Sequence, residues 1–151
     1  QKYKEGIQML IEQISIFVEN KLGRLSEIAE VLHNNDIDIR AMSIADTKDF
    51  GILRLIVNNP KKAEEALKEH EYTVSLTKVI AAGIPDKPGG MLIMMKSLFE
   101  SQISVEYMYA FLSRMDETAY VILRVEDNET AVEVLKKNGV KVLSSEEIYE
   151  M

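Results

Sequence analysis

Cysteine is absent from the 151 residues, and glycine, proline and long apolar runs are scarce. Without cysteine there is no disulfide framework, no thiolate catalysis and no cysteine-based zinc or iron–sulfur site. The longest uncharged apolar run, residues 79–85, is far shorter than the roughly 20 residues that a membrane span needs. Together these absences predict a soluble protein of the cytoplasm.

The composition is that of a folded acidic protein. Hydrophobic residues make up 46% of the chain and charged residues 28%, which excludes a disordered or low-complexity chain. The formal net charge of −7 repels phosphate backbones and anionic lipids, so we expect neither nucleic acid nor membrane as a partner. The length suits one domain or two small ones.

An internal repeat organises the sequence. A shift of 66 positions places residues 20–25 on residues 86–91 and Met42 on Met108. From residue 51 the shift becomes 68, which places Leu67 on Leu135. The change from 66 to 68 predicts two extra residues in the second copy, in a hairpin around residues 113–118.

The repeat predicts two tandem domains, residues 9–79 and residues 80–151. Residues 1–8 precede the first copy and have no counterpart in the second. We interpret them as an N-terminal extension or a cloning remnant, without a function of their own.

In each copy, the spacing of apolar residues indicates the same six strands and helices. Ile14, Ile16 and Val18 alternate as in a half-buried strand, and Leu25, Ile28, Ala29 and Leu32 recur at helical spacing. The remaining runs give the order β-α-β-β-α-β, the split βαβ arrangement. The predicted fold class is therefore α+β, with two ferredoxin-like units that have antiparallel sheets and helices on one face.

The turn from the first strand to the first helix occurs twice and is the strongest local signal. Asn20 or Asp86 stands three residues before Gly23 or Gly89, at the start of a helix. A helix start offers unpaired N–H groups that suit a carboxylate, and the upstream polar side chain can accept from an ammonium. An amino acid carries both groups. The alternative is that these residues are ordinary turn and capping residues.

These turns and this element order resemble the ACT domain, and the chain from Met9 onward is similar to a protein of two tandem ACT domains. The resemblance implies a regulatory module that binds a free amino acid at an interface between ACT domains. The chain departs from the family's pattern at two positions of these turns. The family often has proline at the position of Leu22, and it usually has leucine at the position of Met91. The ligand-binding residues that the resemblance implies are Asn20, Leu22, Gly23, Arg24, Leu25, Asp86, Pro88, Gly89, Gly90 and Met91.

The sequence lacks the signatures of common enzymes. No nucleophile motif, phosphate loop, dinucleotide fingerprint or zinc signature is present. Asp36, Asp38, Asp46 and Asp49 lack the glycine and terminal glutamate of a calcium loop. We therefore expect no enzyme, no catalytic residue, no cofactor and no metal.

Two functions remain open at this point. The leading hypothesis is a non-catalytic regulatory protein whose bound amino acid acts on its own assembly or on a partner enzyme. The alternative is a scaffold or oligomerisation subunit without a small-molecule ligand.

A homodimer or higher homo-oligomer is expected because a ferredoxin-like sheet leaves one face without helices. Strand alternation assigns large apolar side chains to that face, where they would form a patch that monomers seldom expose. The helix residues Leu92 and Phe99 could add to this interface. The sheet residues assigned to it are Met42, Ile44, Ile52, Ile56, Met108, Ala110 and Leu112.

Overall fold

The computed structural model describes residues 9–46, 48–112 and 116–151. The predicted extension at residues 1–8 lies outside the described residues, as does part of the predicted hairpin insertion. Among the described helices, none is long and apolar enough to cross a membrane.

The described chain divides into two compact units. The first unit consists of Glu12–Thr77 together with Tyr149–Met151. The second unit consists of Lys78–Ile148, with which residues 9–11 are grouped.

The first unit has the ferredoxin-like order of elements, and its strands lie in the order β2-β3-β1-β4. The register between β1 and β3, and between β2 and β3, is antiparallel. Its elements are β1 (Leu10–Glu19), α1 (Arg24–Asn34), β2 (Ile39–Asp46), β3 (Phe50–Val57), α2 (Pro60–Glu69) and the start of β4 (Thr73–Pro85).

The second unit repeats this arrangement, with the strands in the order β7-β4-β6-β5. Its elements are the remainder of β4, then α3 (Gly90–Glu100), β5 (Val105–Ala110), β6 (Thr118–Val125), α4 (Asn128–Lys137), β7 (Lys141–Val142) and α5 (Ser145–Tyr149). The predicted α+β class with two antiparallel ferredoxin-like units is confirmed.

Equivalent apolar residues form a separate core in each unit. Leu67 on α2 and Leu135 on α4 are fully buried against the helix-facing side of their sheets. The second helix of each unit also begins in the same way. Asn59 accepts a hydrogen bond from the amide of Lys62 at 3.2 Å, and Asp127 accepts one from Thr130 at 3.1 Å. These side chains satisfy donors that the helix start leaves without partners.

A β-bulge interrupts the second strand of each unit at the same place. On β2, Ile39 pairs with Val57 and Ala41 with Ile56, so Arg40 is the extra residue. On β5, Val105 and Tyr107 bracket the extra residue Glu106 in the same manner. Because side chains alternate with a period of two, one extra residue exchanges the faces of every residue that follows.

The bulges overturn part of the predicted interface. Met42 pairs with the core residue Leu55, and Met108 pairs with the core residue Leu123, so both lie on the helix side of their sheets. The same register places Ile44 opposite Leu53 and Ala110 opposite Val121, also on the helix side.

The third strand of the first unit keeps its predicted faces, but it does not supply the expected patch. Ile52 pairs with Ala45 and Ile56 with Ala41, away from the helices. Ile56 is nevertheless fully buried, and Ile52 is only partly exposed. The sheet therefore does not present the patch that strand alternation predicted.

The second copy ends in a helix where the first copy has a strand. The repeat aligns Ile148 with Ile80 of β4, yet β7 has two residues and Ile148 lies in α5. The hydroxyl of Ser144 accepts from the amide of Glu147 at 3.2 Å, and the Glu147 carboxylate accepts from the amide of Ser144 at 3.2 Å. This reciprocal capping box starts a helix after β7.

Candidate functional site

The first turn is open at its glycine. Gly23 has φ +89°, in the left-handed region, and a Cβ atom there would meet nothing within 4 Å. Glycine is thus required by the backbone conformation, whereas crowding plays no part. No side chain among the described residues caps α1 at this position. The Arg24 amide, the first of α1, donates to the backbone carbonyl of Lys21 at 3.3 Å.

Asn20 is held between this turn and the β2-β3 hairpin. Its backbone amide donates to the carbonyl of Asp49 at 3.0 Å, and its side-chain Nδ2 donates to Oδ1 of Asp46 at 2.6 Å. Asp46 ends β2 and is absent from the predicted site. The hydrogen bond to Asp46 fixes the orientation of the Asn20 amide.

A pocket of about 290 Å³ lies beside this turn. Three of the predicted site residues line it: Asn20, Arg24 and Leu25. Leu22 is fully exposed, and neither Leu22 nor Gly23 is among the lining residues. The remaining lining residues are Val18, Glu19, Lys21, Ile44, Gly51 and Leu53.

The lining combines polar groups with an apolar wall. Val18 and Leu53 are buried core residues, whereas Leu25 and Ile44 remain 45% and 47% exposed. Helical spacing assigns Leu25 to the buried stripe of α1, but the structure places it at this pocket. Two half-exposed aliphatic side chains beside a polar turn form a surface that an amphiphilic small molecule can cover.

Arg24 lies between two carboxylates. Its Nη1 is 3.0 Å from Oε2 of Glu27, and its Nη2 is 3.8 Å from Oε2 of Glu19. The Tyr72 hydroxyl donates to the same Glu27 oxygen at 2.8 Å. This Tyr72 bond, followed by the bond from Arg24, holds the pKa of Glu27 below its ordinary value.

The two other groups of this network shift in the opposite direction. Burial, and then the bond to Glu27, raise the pKa of Tyr72. The bond to Glu27 raises the pKa of Arg24 and so keeps the guanidinium charged. For Glu19 the cause is different, since its bond to Lys21 lowers the pKa of this carboxyl. All four groups are therefore fixed as charges or hydrogen-bond donors at neutral pH.

The second turn has the same backbone but is packed more tightly. Gly89 has φ +86° and open space around it, as Gly23 has. Gly90, however, lies so close to β4 that an added Cβ would come within 2.0 Å of the Pro85 carbonyl oxygen. A close backbone approach therefore requires glycine at position 90, whereas the first turn accommodates Arg24 at the equivalent position.

The other predicted residues of the second turn are spread along it. The Asp86 amide donates to the carbonyl of Glu117 at 2.8 Å, as Asn20 donates to Asp49. Pro88 is exposed, and Met91 is partly exposed in the first turn of α3. The position equivalent to Asp46 is Leu112, so no carboxylate stands there. The two turns share the left-handed glycine and the backbone bond to the hairpin, and they differ in packing and in chemistry.

Sequence reasoning missed the hairpin side of the first pocket. Asp46, Ile44, Gly51 and Leu53 lie 24 to 33 residues from Asn20 in the sequence, and the register of β2, β3 and β1 brings them to the turn. The only available signal was that β2 ends where the polar hairpin begins. Among the described residues, no group of three or more His, Asp or Glu side chains is placed to hold a metal ion.

The chain matches the family model of the ACT domain pair over residues 9–151. The solved structure of protein BT0572 from Bacteroides thetaiotaomicron is 38% identical, with a TM-score of 0.89, over 95% of this chain and 98% of that chain. No curated protein sequence matches this chain.

More distant structures share the fold. The regulatory subunit of aspartate kinase from Thermus thermophilus, in a ligand-free form, is 15% identical, with a TM-score of 0.62, over 85% of this chain and 93% of that chain. The corresponding subunit from Thermus flavus is 13% identical, with a TM-score of 0.58, over 85% and 92% of the two chains. With the two ferredoxin-like units and the match over residues 9–151, the chain belongs to the ACT domain pair family.

Proposed function

We propose that this chain is a non-catalytic regulatory protein that binds a free amino acid at the first turn. Binding would act on the protein's own assembly or on a partner enzyme. The observation that carries the proposal is the 290 Å³ pocket, where the oriented Asn20 amide adjoins the half-exposed Leu25 and Ile44.

Each part of an amino acid has a suitable neighbour in this pocket. The Asn20 amide oxygen and the Glu19 carboxylate are acceptors for an ammonium group. Lys21, together with the positive end of α1, suits a carboxylate. An apolar ligand side chain would cover Leu25 and Ile44, which gains about 25 cal/mol for each Å² removed from water.

The family and its structures support a regulatory role. The two Thermus structures are regulatory subunits of aspartate kinase, and they share the fold of this chain. Fold similarity alone does not carry a ligand or a partner from one protein to another. The argument for an amino acid therefore rests on the pocket of this chain.

A thermal-shift screen against the twenty amino acids tests the proposal. A ligand that binds the native state alone raises the apparent stability by RT ln(1 + [L]/Kd). We expect one amino acid, or one chemically related group, to raise the melting temperature at millimolar concentration. Absence of any response would contradict the proposal and favour a subunit that assembles without a small-molecule ligand.

Asn20→Ala locates the site, and Asp86→Ala is its matched control in the second turn. Loss of a hydrogen-bonding partner costs about 1–3 kcal/mol, a weakening of roughly 5- to 150-fold. Calorimetric titration should show this loss for Asn20→Ala and a much smaller change for Asp86→Ala. Equal losses in both variants would assign the ligand to both turns, and a loss in Asp86→Ala alone would move the site to the second turn.

A further inference from the structure

Gly51 is a glycine that the fold of the first unit does not require. It is buried near the start of β3, where it pairs with Val18 of β1 and Asp46 of β2. Its φ lies outside the left-handed region. The nearest neighbours of an added Cβ would be 3.5 to 3.8 Å away, which is ordinary van der Waals contact. Both the backbone and the space would therefore accept a side chain, and glycine weakens a strand by leaving it out.

The second unit has a side chain at this position. The repeat places Gly51 on Ala119, which is partly buried against the core of the second unit. Ala119 pairs with Ile84 of β4 just as Gly51 pairs with Val18, and Ile84 is itself the equivalent of Val18. The two positions are therefore equivalent in structure as well as in sequence. What distinguishes the first unit here is the missing side chain.

The space above Gly51 belongs to the pocket beside the first turn. A Cβ at this position would lie 3.7 Å from Cγ2 of Ile44 and 3.8 Å from Oδ1 of Asn20. The bare backbone is thus flanked by an aliphatic side chain and an amide oxygen. A glycine inside a strand often marks a place where a ligand approaches the backbone closely.

These two neighbours suit two of the groups that diverge from the Cα of an amino acid. The amide oxygen of Asn20 is an acceptor for the α-ammonium group, and the hydrogen bond from Asn20 to Asp46 holds this amide in its orientation. The methyl group of Ile44 suits a hydrocarbon side chain. An amino acid held by both neighbours has its Cα over Gly51, in the space that a side chain at position 51 would fill.

The wall of the pocket beyond Gly51 is aliphatic. Val18 and Leu53 are buried, and Leu25 and Ile44 are about half exposed. All four side chains are branched hydrocarbons without a hydrogen-bonding atom. An aliphatic ligand side chain laid along this wall removes apolar surface from water on both molecules.

The charged residues of the pocket lining are engaged in ion pairs at the turn. Nζ of Lys21 is 2.9 Å from Oε2 of Glu19, and Nη1 of Arg24 is 3.0 Å from Oε2 of Glu27. A charged ligand side chain along the aliphatic wall would lose hydration, and the four wall residues offer it no compensating partner. The lining therefore disfavours amino acids with charged side chains.

We infer that the ligand of the first turn is an amino acid with an uncharged aliphatic side chain, and that the missing side chain of Gly51 makes room for it. The inference rests on the function proposed above and adds to it a ligand class and a specificity-determining residue. Because Ala119 has a side chain at the equivalent position, the second turn should not bind the same ligand in this way.

Exchange of the two equivalent residues tests the role of Gly51. Gly51→Ala should not lower the melting temperature of the free protein, because alanine fits this strand and restricts the unfolded chain. The same variant should weaken the binding of leucine and valine in calorimetric titration by roughly 5- to 150-fold, the effect of overpacking a site. Ala119→Gly is the matched control and should leave this binding unchanged. A Gly51→Ala variant that melts lower than the unmodified protein would make Gly51 a structural residue and overturn its role.

Thermal shifts with single amino acids test the ligand class. Valine, leucine, isoleucine and methionine should raise the melting temperature of the unmodified protein. Aspartate, glutamate, lysine and arginine at the same concentration should not. Gly51→Val, which adds a larger side chain that strands favour, should abolish the response to all four aliphatic amino acids while the protein remains folded by circular dichroism.

The outcomes separate this inference from the proposed function. A response to charged amino acids alone would keep the proposed function and overturn the ligand class. Unchanged binding in Gly51→Ala, in a protein that responds to leucine or valine, would overturn the role of Gly51 and leave the proposed function intact. A protein that responds to no amino acid would overturn both.

Discussion

The two units have the same framework and different surfaces. The Arg24, Glu27 and Tyr72 network of the first unit is replaced by Gly90, Ile93 and Val140 in the second. A side chain that adds hydrogen bonds in one copy is apolar or absent in the other. The comparison shows that the core fixes the duplicated fold, while the turns and helix surfaces are free to diverge in chemistry.

The divergence is clearest at the first turn and first helix of each unit. The first turn is open and polar, with Asn20 held by Asp46 beside a pocket. In the second turn Gly90 packs closely against Pro85 at the end of β4, and the helix that follows, α3, carries an apolar surface. The first unit thus combines a polar turn with a pocket, whereas the second combines a tightly packed turn with an apolar helix surface.

The largest expected effect tests whether the cores are equivalent. Leu67→Ala and Leu135→Ala each remove a fully buried side chain at matched positions. Each should lower the free energy of unfolding by about 2–5 kcal/mol, measured by denaturant titration. A loss in one variant that exceeds the loss in the other by more than about 2 kcal/mol would show that the two cores are not energetically alike.

A smaller effect tests the difference between the turns. Gly90→Ala places a Cβ against the Pro85 carbonyl and should destabilise the protein by about 1–3 kcal/mol. Arg24→Ala at the equivalent position loses only exposed ion pairs and should destabilise the protein less than Gly90→Ala does. The same denaturant titration measures both, and a reversed order would refute the packing difference.

The smallest effect concerns the polar network of the first unit. In Tyr72→Phe the pKa of Glu27 should rise toward its ordinary value, because the hydroxyl that donates to the carboxylate is gone. Carboxyl resonances followed by NMR titration measure this change. Glu19 is the control, since Lys21 and not Tyr72 lowers its pKa.

The Tyr72→Phe variant also tests how the stability of the protein depends on pH. The folded-state pKa of Glu27 lies below its unfolded value, so its bond with Tyr72 stabilises the protein above that unfolded value. This stabilisation is lost as the pH falls through the lowered pKa of Glu27. The stability difference between the unmodified protein and Tyr72→Phe should therefore be largest near neutral pH and shrink in acid. A difference that grows in acid would contradict this assignment.

The sequence predicted the fold well because its evidence is local. Strand and helix periods depend only on neighbouring residues, as in the alternation of Ile14, Ile16 and Val18 and the helical spacing of Ile28 and Leu32. The repeat shows the same local periods a second time along the chain. The positions of Gly23 and Gly89 at helix starts are also local, and both have the positive φ that favours glycine. The α+β class and the element order follow from such patterns, and together with the two turns they carry the resemblance to the ACT family that the match over residues 9–151 confirms.

Features that depend on contacts between distant segments, such as the face of the sheet on which a side chain lies, were decided by the tertiary structure. The bulges at Arg40 and Glu106 reverse the faces of Met42 and Met108, since one extra residue changes the parity of a strand without changing its apolar pattern.

The same limit holds at the turns. Strand register brings Asp46 to Asn20, and the close approach of β4 requires glycine at position 90. At the end of the chain the signal was local: the capping box of Ser144 and Glu147 starts a helix where the repeat predicted a strand. Local patterns therefore determined the elements and their order, whereas strand register and close packing, which join residues far apart in the chain, determined the site.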